Sequence, residues 1–256
     1  MQKIADERMI KFEEVTKKFG TITALSEVSF EIKEGEFVFL TGPSGAGKTT
    51  VFKLILREYL PTEGKIFVCD REVNRLLRKK VCHHRREIGV VFQDFKLLFD
   101  RTVFENVALP LEIKKMSGPK IREKVEDVLV KVGLLERRDL FPAQLAGGEL
   151  QRTALARAII TEPKILLADE PTGNLDPKIS LQLVELFRQI NQGGTAVVMA
   201  THNAKIVDSF EERVIELAEG KVIRDQARGK YEAEEEKKEE PKKEDKSRKR
   251  KGGKHD

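Results

Sequence analysis

A glycine-rich segment near the start of the chain restricts the fold more than any other feature. It matches the pattern G-x-x-x-x-G-K-[ST], in which backbone N–H groups surround a phosphate. A short apolar run precedes it and a helical pattern follows it, so the local order is strand, loop and helix. A chance glycine-rich turn, the alternative, leaves this order unexplained. The segment consists of Gly42, Pro43, Ser44, Gly45, Ala46, Gly47, Lys48, Thr49 and Thr50.

The side chains of this segment predict a nucleotide and a metal ion as ligands. Lys48 is long enough to reach the β- and γ-phosphates, and the hydroxyl of Thr49 is a ligand for Mg²⁺. The N-terminus of the following helix adds partial positive charge.

Two acidic residues end a second apolar run further along the chain. The strand-like run 165–168 leads directly into Asp169 and Glu170. A carboxylate at the end of a strand suits Mg²⁺ in P-loop enzymes, and the next carboxylate is then placed to polarise an attacking water. Ordinary acidic turn residues are the alternative.

A second pair of glycines opens another predicted helix, which extends to about residue 160. Gly147 and Gly148 follow Ala146, and a helix N-terminus of this kind is a second anion site. One γ-phosphate does not need two such sites in one chain. The second site is explained if it closes over the nucleotide of a partner chain.

Three shorter motifs complete the pattern: Gln93 after an apolar run, the turn Gly173-Asn174-Leu175-Asp176, and His202 after the run 196–200. With them, residues 9–226 resemble the nucleotide-binding subunit of ABC ATPases. The resemblance implies ATP with Mg²⁺ as ligands, ATP hydrolysis, and a homodimer that forms on ATP binding.

The same resemblance assigns roles to individual residues. It implies catalytic roles for Glu170, His202 and Gln93, and metal contacts from Thr49, Gln93 and Asp169. Phe19 stands where the family stacks an aromatic ring on adenine, with a buried core position as the alternative. The remaining implied nucleotide contacts are the segment 42–50, Ala146, Gly147, Gly148 and Asp176.

An α/β fold follows from the motifs and the element patterns together. The resemblance implies a P-loop ABC nucleotide-binding domain with a RecA-like parallel-sheet core, an antiparallel β subdomain and a helical subdomain at about 94–144. The strand–helix–strand order of 164–169, 179–190 and 196–201 favours a parallel sheet. Helical periodicity predicts a helix at 120–132, and the runs 214–217 and 222–224 indicate a hairpin. The strand-like runs assigned to the antiparallel layer are 10–15, 28–32, 37–40 and 64–68.

One part of the chain indicates a narrower family. The stretch from Gln93 to Leu111, above all the tetrad 100–103, resembles the FtsE family of cell-division ATPases. The stretch 168–176 is also shared with ATPases of lipoprotein-release and macrolide-efflux exporters, which remain the alternative. The resemblance implies an FtsX-like integral membrane subunit and signalling to cell-wall hydrolases.

The second glycine motif departs from the family pattern at one position. The family has serine where this chain has Ala146, so one donor to the γ-phosphate across the dimer is missing. A hydrogen bond to a charged group contributes about 1.5–3 kcal/mol. A nucleotide-gated scaffold with little hydrolysis is therefore a further alternative, although the carboxylate of Glu170 argues against it.

Charged residues dominate the end of the chain. They make up 36% of all residues and 19 of the 26 residues beyond Lys230. Such a segment cannot bury enough apolar surface to offset its ordering entropy, so we predict a disordered tail at 227–256. Its basic end predicts weak contact with an anionic membrane surface, and no specific nucleic acid is predicted.

The rest of the composition predicts a cytoplasmic protein held at the inner face of the plasma membrane by its partner. No run approaches the roughly 20 apolar residues of a membrane-spanning helix, and residues 1–9 do not resemble a secretory signal. The basic stretch 75–86 is predicted to be solvated and not to bind a metal. The apolar side chains in 95–104 are either buried or a docking site for the membrane partner.

Overall fold

Two β-sheets and a group of helices form the described part of the chain. The structure is a computed structural model and describes residues 8–173 and 175–231. The strands are β1 (Arg8–Phe19), β2 (Ile22–Lys33), β3 (Phe37–Thr41), β4 (Glu63–Val68), β5 (Arg71–Glu72), β6 (Ile88–Val91), β7 (Ile165–Asp169), β8 (Ala196–Ala200), β9 (Arg213–Ala218) and β10 (Lys221–Gln226). The helices are α1 (Lys48–Ile55), α2 (Arg78–Arg85), α3 (Val103–Ile113), α4 (Gly118–Lys131), α5 (Gly147–Ile159), α6 (Pro177–Gln192) and α7 (Ala204–Phe210).

The larger sheet has six strands in the order β10-β9-β3-β8-β7-β6. Its strands are parallel except for the hairpin of β9 and β10. Residues 37–41 of β3 are all buried, as expected of a strand that is covered on both faces. The predicted parallel-sheet core is confirmed, but the assignment of the run 37–40 to the antiparallel layer was wrong. A continuous apolar run without alternation is typical of a strand buried on both faces.

The smaller sheet is antiparallel, in the order β2-β1-β4-β5. Both long strands contain a residue with left-handed backbone, Glu14 at φ 48° and Glu27 at φ 51°, and the pairing shifts register between Phe12 and Val15. Such a bulge interrupts the alternation of inward and outward side chains. For this reason the sequence pattern predicted only parts of the two strands.

The helical part has its own apolar core. Side chains from α3, α4 and α5 form one buried cluster, with Val107, Val125 and Leu129 fully enclosed. Of the apolar side chains at 95–104, Leu97 and Val103 are buried, whereas 57% of the Phe99 side chain is exposed. Phe95 and Phe104 are partly buried against the core as well, so most of this run serves packing, whereas Leu98, which is 37% exposed, and Phe99 lie at the surface.

The basic stretch 75–86 differs from its prediction. It contains α2, and His84 on this helix is 1% exposed. Nε2 of His84 donates to the carbonyl oxygen of Ile55 at 2.7 Å, and Nε of Arg85 donates to that of Leu56 at 2.9 Å. The prediction of a solvated stretch was wrong at His84, because α2 binds the unpaired carbonyls at the end of α1.

The C-terminal end of the described chain lies against the core. The amide of Gly229 donates to the carbonyl oxygen of Glu212 at 3.2 Å, and the amide of Tyr231 donates to Oδ1 of Asp208 at 2.7 Å. The structure thus describes the first five residues of the predicted tail, whereas residues 232–256 lie outside the described residues. Asn174 of the predicted turn also lies outside them. No helix within the described ranges is long and apolar enough to cross a membrane.

Candidate active site

The glycine-rich loop connects β3 to α1 and has a shape that other residues cannot adopt. Gly42 has φ 132°, and a Cβ atom there would lie 2.1 Å from the carbonyl oxygen of Leu217. Gly47 has φ 108°, and a Cβ atom there would lie 2.6 Å from Cδ2 of Leu25. Both positions combine left-handed backbone with a close neighbour, so the loop requires glycine twice.

Lys48 is buried inside the curve of this loop. Its Nζ donates to the carbonyl oxygens of Gly42 at 2.6 Å and Pro43 at 3.0 Å. Burial lowers the pKa of Lys48, while the charges of Glu170 and Asp169 oppose this effect. The ammonium group is thus held at the centre of the loop, where a phosphate would bind.

Thr49 and Asp169 meet although they are far apart in sequence. Oγ1 of Thr49 donates to Oδ2 of Asp169 at 3.2 Å. Burial raises the pKa of Asp169, the Thr49 hydrogen bond lowers it, and the charge of Glu170 raises it further. A hydroxyl and a carboxylate at the end of the P-loop are oxygen donors that suit Mg²⁺, which commonly binds one or two protein groups plus substrate phosphates. The donor set therefore fits this metal.

The three predicted catalytic residues, Glu170, His202 and Gln93, lie close to one another. Nδ1 of His202 lies 3.1 Å from Oε2 of Glu170. A methyl group on Gly173 would lie 3.6 Å from Nε2 of Gln93 and 4.0 Å from Oε2 of Glu170. Glu170 itself has left-handed backbone at φ 46°, a conformation that is often found at functional sites.

Phe19 lies at the surface with an aromatic neighbour that the sequence did not reveal. Its side chain is 39% exposed, so the alternative of a core position is excluded. The ring of Tyr59 meets it edge to face at 5.1 Å between centroids, and Nζ of Lys17 lies 4.7 Å from the Phe19 centroid. The only sequence signal for Tyr59 is an isolated aromatic residue in a polar stretch after α1.

The second glycine motif forms the N-terminus of α5, away from the first. Helix α5 packs against α3, α4, α6 and β6, whereas α1 packs against β4 and β7. Ala146 and Gly147 are exposed, but a Cβ atom on Gly148 would lie 2.7 Å from Cγ2 of Ile179. Gly148 is therefore required for packing on α6, whatever it binds.

Asp176 has a structural role of its own. Its Oδ1 accepts from the amides of Lys178 and Ile179, each at 3.0 Å, and so caps the N-terminus of α6. The structure thus gives this predicted nucleotide contact a second role that the sequence reasoning missed.

The fold and this site define a class of protein. A P-loop after one parallel strand, an acidic pair after a second and a histidine after a third are the arrangement of a P-loop ATPase. The family model for the ABC transporter matches residues 25–173, and the chain belongs to this family of ATP-binding proteins.

Its relatives include cell-division proteins. The chain is 46% identical over 224 residues to the cell division ATP-binding protein FtsE of Bacillus subtilis (strain 168), covering 87% of this chain and 98% of that protein. It is 47% identical over 213 residues to FtsE of Escherichia coli (strain K12), covering 83% and 96%.

Two solved structures are also similar. The dimeric post-hydrolysis structure of the ATP-binding cassette MJ0796 bound to ADP and Pi has a TM-score of 0.79 and 39% identity, covering 87% of this chain and 100% of that one. CbiO1 of Clostridium perfringens, part of the ABC transporter complex cbiONQ, has a TM-score of 0.81 and 29% identity, covering 86% and 89%.

Proposed function

We propose that this chain is the cytosolic ATPase subunit of an FtsE/FtsX-like complex at the inner face of the plasma membrane. ATP-driven closure of its homodimer would be coupled to a membrane partner that regulates cell-wall hydrolysis in cell division. The observation that carries this proposal is the 44–47% identity to FtsE proteins over more than four-fifths of the chain. It favours cell division over the exporter alternative.

Binding of ATP would use the glycine-rich loop, the Thr49–Asp169 pair and Phe19. The amides of the loop 42–50 and the ammonium group of Lys48 would bind the phosphates, and Phe19, backed by Tyr59, would stack on adenine. Thr49, Asp169 and Gln93 would hold Mg²⁺, which neutralises charge on the β- and γ-phosphates when bound. The 3.2 Å contact of Thr49 and Asp169 supports this assignment.

Hydrolysis would depend on Glu170 and His202. The carboxylate of Glu170 orients a water molecule in line with the γ-phosphate and accepts its proton. The imidazole of His202, 3.1 Å from that carboxylate, would hold it in place and contact the γ-phosphate. Positioning and electrostatics account for most of the rate enhancement in this type of reaction.

Each complete site would need two protomers. Helix α5 begins on a different part of the molecule from the P-loop, so Ala146 and Gly147 of one chain would cover the nucleotide of the other. The solved structures of MJ0796, which are described as dimeric, support the formation of a dimer.

A cationic groove supports docking of a membrane partner. A cavity of about 830 Å³ lies between α2, α3, α5 and β6, and among the described residues that line it Glu58 alone carries a carboxylate. The cavity is also lined by apolar side chains. We therefore infer that it accepts a cytoplasmic segment of the membrane partner that carries both carboxylates and apolar side chains. The cationic residues that line the groove are Arg57, Arg78, Arg85, Arg86, Lys114 and Arg157.

The test of the ATPase function is steady-state phosphate release. We expect the wild-type chain to release phosphate and Glu170→Gln to bind ATP without releasing it, with an ATP-bound dimer detected by sedimentation. The amide keeps the shape of the side chain but cannot accept the proton. A nucleotide-gated scaffold, the alternative that Ala146 favours, would give no release with either protein. Hydrolysis by Glu170→Gln at the wild-type rate would remove this residue from its role.

The test of the groove is co-purification with an FtsX-like membrane subunit. We expect Arg86→Glu, which reverses a charge in the groove, to weaken co-purification. The matched control Lys79→Glu reverses an exposed charge outside the groove, on helix α2, which ends directly before Arg86, and should bind normally. Equal loss in both variants would indicate a general charge effect and would contradict docking in this groove.

A further inference from the structure

Arg157 on α5 is half-buried and has no acidic partner within the described part of the chain. Its Nη1 donates to the carbonyl oxygen of Lys96 at 2.8 Å and its Nη2 to that of Phe95 at 2.9 Å. Among the described residues no carboxylate lies within ion-pair distance of it, and burial lowers the pKa of the guanidinium group. Partial burial of a cation without a counter-ion costs free energy, and the two charge-assisted hydrogen bonds to carbonyl oxygens offset part of that cost.

The two carbonyl groups belong to a strained turn. Phe95 has φ 59° and Lys96 has φ 50°, and a left-handed conformation costs about 1–3 kcal/mol at a residue other than glycine. The turn is tight, because the amide of Phe95 donates to the carbonyl oxygen of Phe92 at 3.2 Å. Gln93 lies inside this turn, between strand β6 and the strained residues.

The chain after the turn is fixed to the helical part as well. The buried side chain of Asn106 on α3 accepts from the amide of Leu98 and donates to the carbonyl oxygens of Leu98, Arg101 and Thr102. From Phe95 onward the chain is therefore attached to helices, whereas Gln93 follows directly from the sheet. The turn forms the junction of the two parts.

We propose that Arg157 is a positioning residue for ATP hydrolysis. It holds the strained turn 92–96 against α5, so that Gln93 stays beside Glu170. The N-terminus of α5, with Gly147, lies about 15 Å along the same helix, so a displacement of the helix on dimer closure would move the turn with it. Arg157 also lines the cationic groove, which places the groove next to the same turn.

The inference rests on the proposed function, since hydrolysis is one of its readouts. The variants are Arg157→Met, which keeps length but has no donors, and Arg157→Lys, which keeps charge but loses the paired donors. Lys96→Gly removes the cost of one left-handed residue, and it gives up only an exposed ion pair with Asp94. The chain has no tryptophan, so Phe92→Trp provides a single fluorescent reporter of the turn.

We expect Arg157→Met to lower kcat by about tenfold or more while the nucleotide Kd changes less than about twofold. Arg157→Lys should be intermediate, and Lys96→Gly should restore part of the lost kcat in the Met background. In the reporter background, Arg157→Met should raise quenching of the tryptophan by acrylamide, with no nucleotide present.

Several outcomes would overturn this role. They are a wild-type kcat for Arg157→Met, a parallel loss of nucleotide binding and thermal stability in Arg157→Lys, or no recovery with Lys96→Gly. If the proposed ATPase function itself is wrong, the wild-type chain will release no phosphate, and this result distinguishes the two proposals. The quenching measurement still decides in that case whether Arg157 holds the turn, and unchanged quenching would refute the proposal.

Discussion

At the scale of single residues, the carboxylate of Asp169, which is predicted to bind Mg²⁺, destabilises the folded protein because it is buried. Burial raises the pKa of this carboxyl above its ordinary value, and Glu170 adds to the shift. The folded state therefore binds the proton of Asp169 more tightly than the unfolded state does. Stability from this group is greatest at low pH and falls as the pH rises through the folded pKa, so the ionised carboxylate destabilises the protein at neutral pH.

We accordingly expect Asp169→Asn to raise the melting temperature of the protein in the absence of metal and nucleotide. The asparagine oxygen can still accept from Thr49, while the buried charge is gone. In the presence of ATP and Mg²⁺ the wild-type protein should gain more stability than the variant, because the variant lacks a predicted ligand of the metal. Thermal melts at neutral pH with and without Mg²⁺ measure both effects. A lower melting temperature for the metal-free variant would contradict this account of the buried charge.

At the scale of elements, α5 begins without a complete cap. The carboxylate of Glu149 accepts from the amide of Ala146 at 2.9 Å, which is half of a capping box. The side chain of Ala146 has no oxygen that could accept a hydrogen bond from a backbone amide in the first turn of the helix, so the other half of the capping box is missing. A serine at this position would have two effects, since it caps the helix and adds a donor toward the γ-phosphate of a partner.

We expect Ala146→Ser to stabilise the protein by about 1 kcal/mol and to increase ATP-dependent dimerisation or ATPase activity. Ala146→Asp is the matched variant, because aspartate caps a helix equally well but cannot donate to a phosphate and repels it. Thermal melts should show a gain in both variants, while sedimentation with ATP should show a gain only with serine. Equal dimerisation of the two variants would mean that another group already fills this role.

At the scale of the whole molecule, the chain as far as Tyr231 is attached to the core. The hydrogen bonds of Gly229 and Tyr231 attach the chain to the turn after α7 and to α7 itself. We expect removal of 232–256 to leave the melting temperature and basal ATPase activity unchanged, and removal of 229–256 to lower the melting temperature. Comparison of the two truncated chains by thermal melts tests the division. A loss of stability in the shorter truncation would show that the tail supports the fold.

The tail beyond this point is expected to affect contact with membranes. Basic residues near an anionic leaflet contribute about 1 kcal/mol each, an effect that weakens with salt, and the acidic residues of the same segment reduce it. Co-sedimentation of the full chain and of the chain without 232–256 with anionic liposomes, at low and high salt, tests this. Equal binding of both would leave the tail with no role at the membrane.

The sequence by itself determined the motifs, the family and most elements of this protein. The P-loop, the acidic pair after 165–168 and the helices at 120–132 and 179–190 depend on spacing and periodicity within one short segment. Such local patterns can be recognised without knowledge of the fold. The predicted roles of the site residues, including metal contact by Gln93 and the dimer contact of Ala146, stay predictions.

Only the tertiary structure decided which distant groups meet. It placed β3 among parallel strands, enclosed His84 at the end of α1, set Tyr59 against Phe19, and bound the turn after Gln93 to Arg157. The apolar run of β3 indicated only burial on both faces and not its neighbours, and the other contacts join residues whose separation along the chain says nothing about their distance in space. These contacts form when the sheet packs against the helices. The sequence therefore identifies the residues of the site, and the fold determines which of them are in contact.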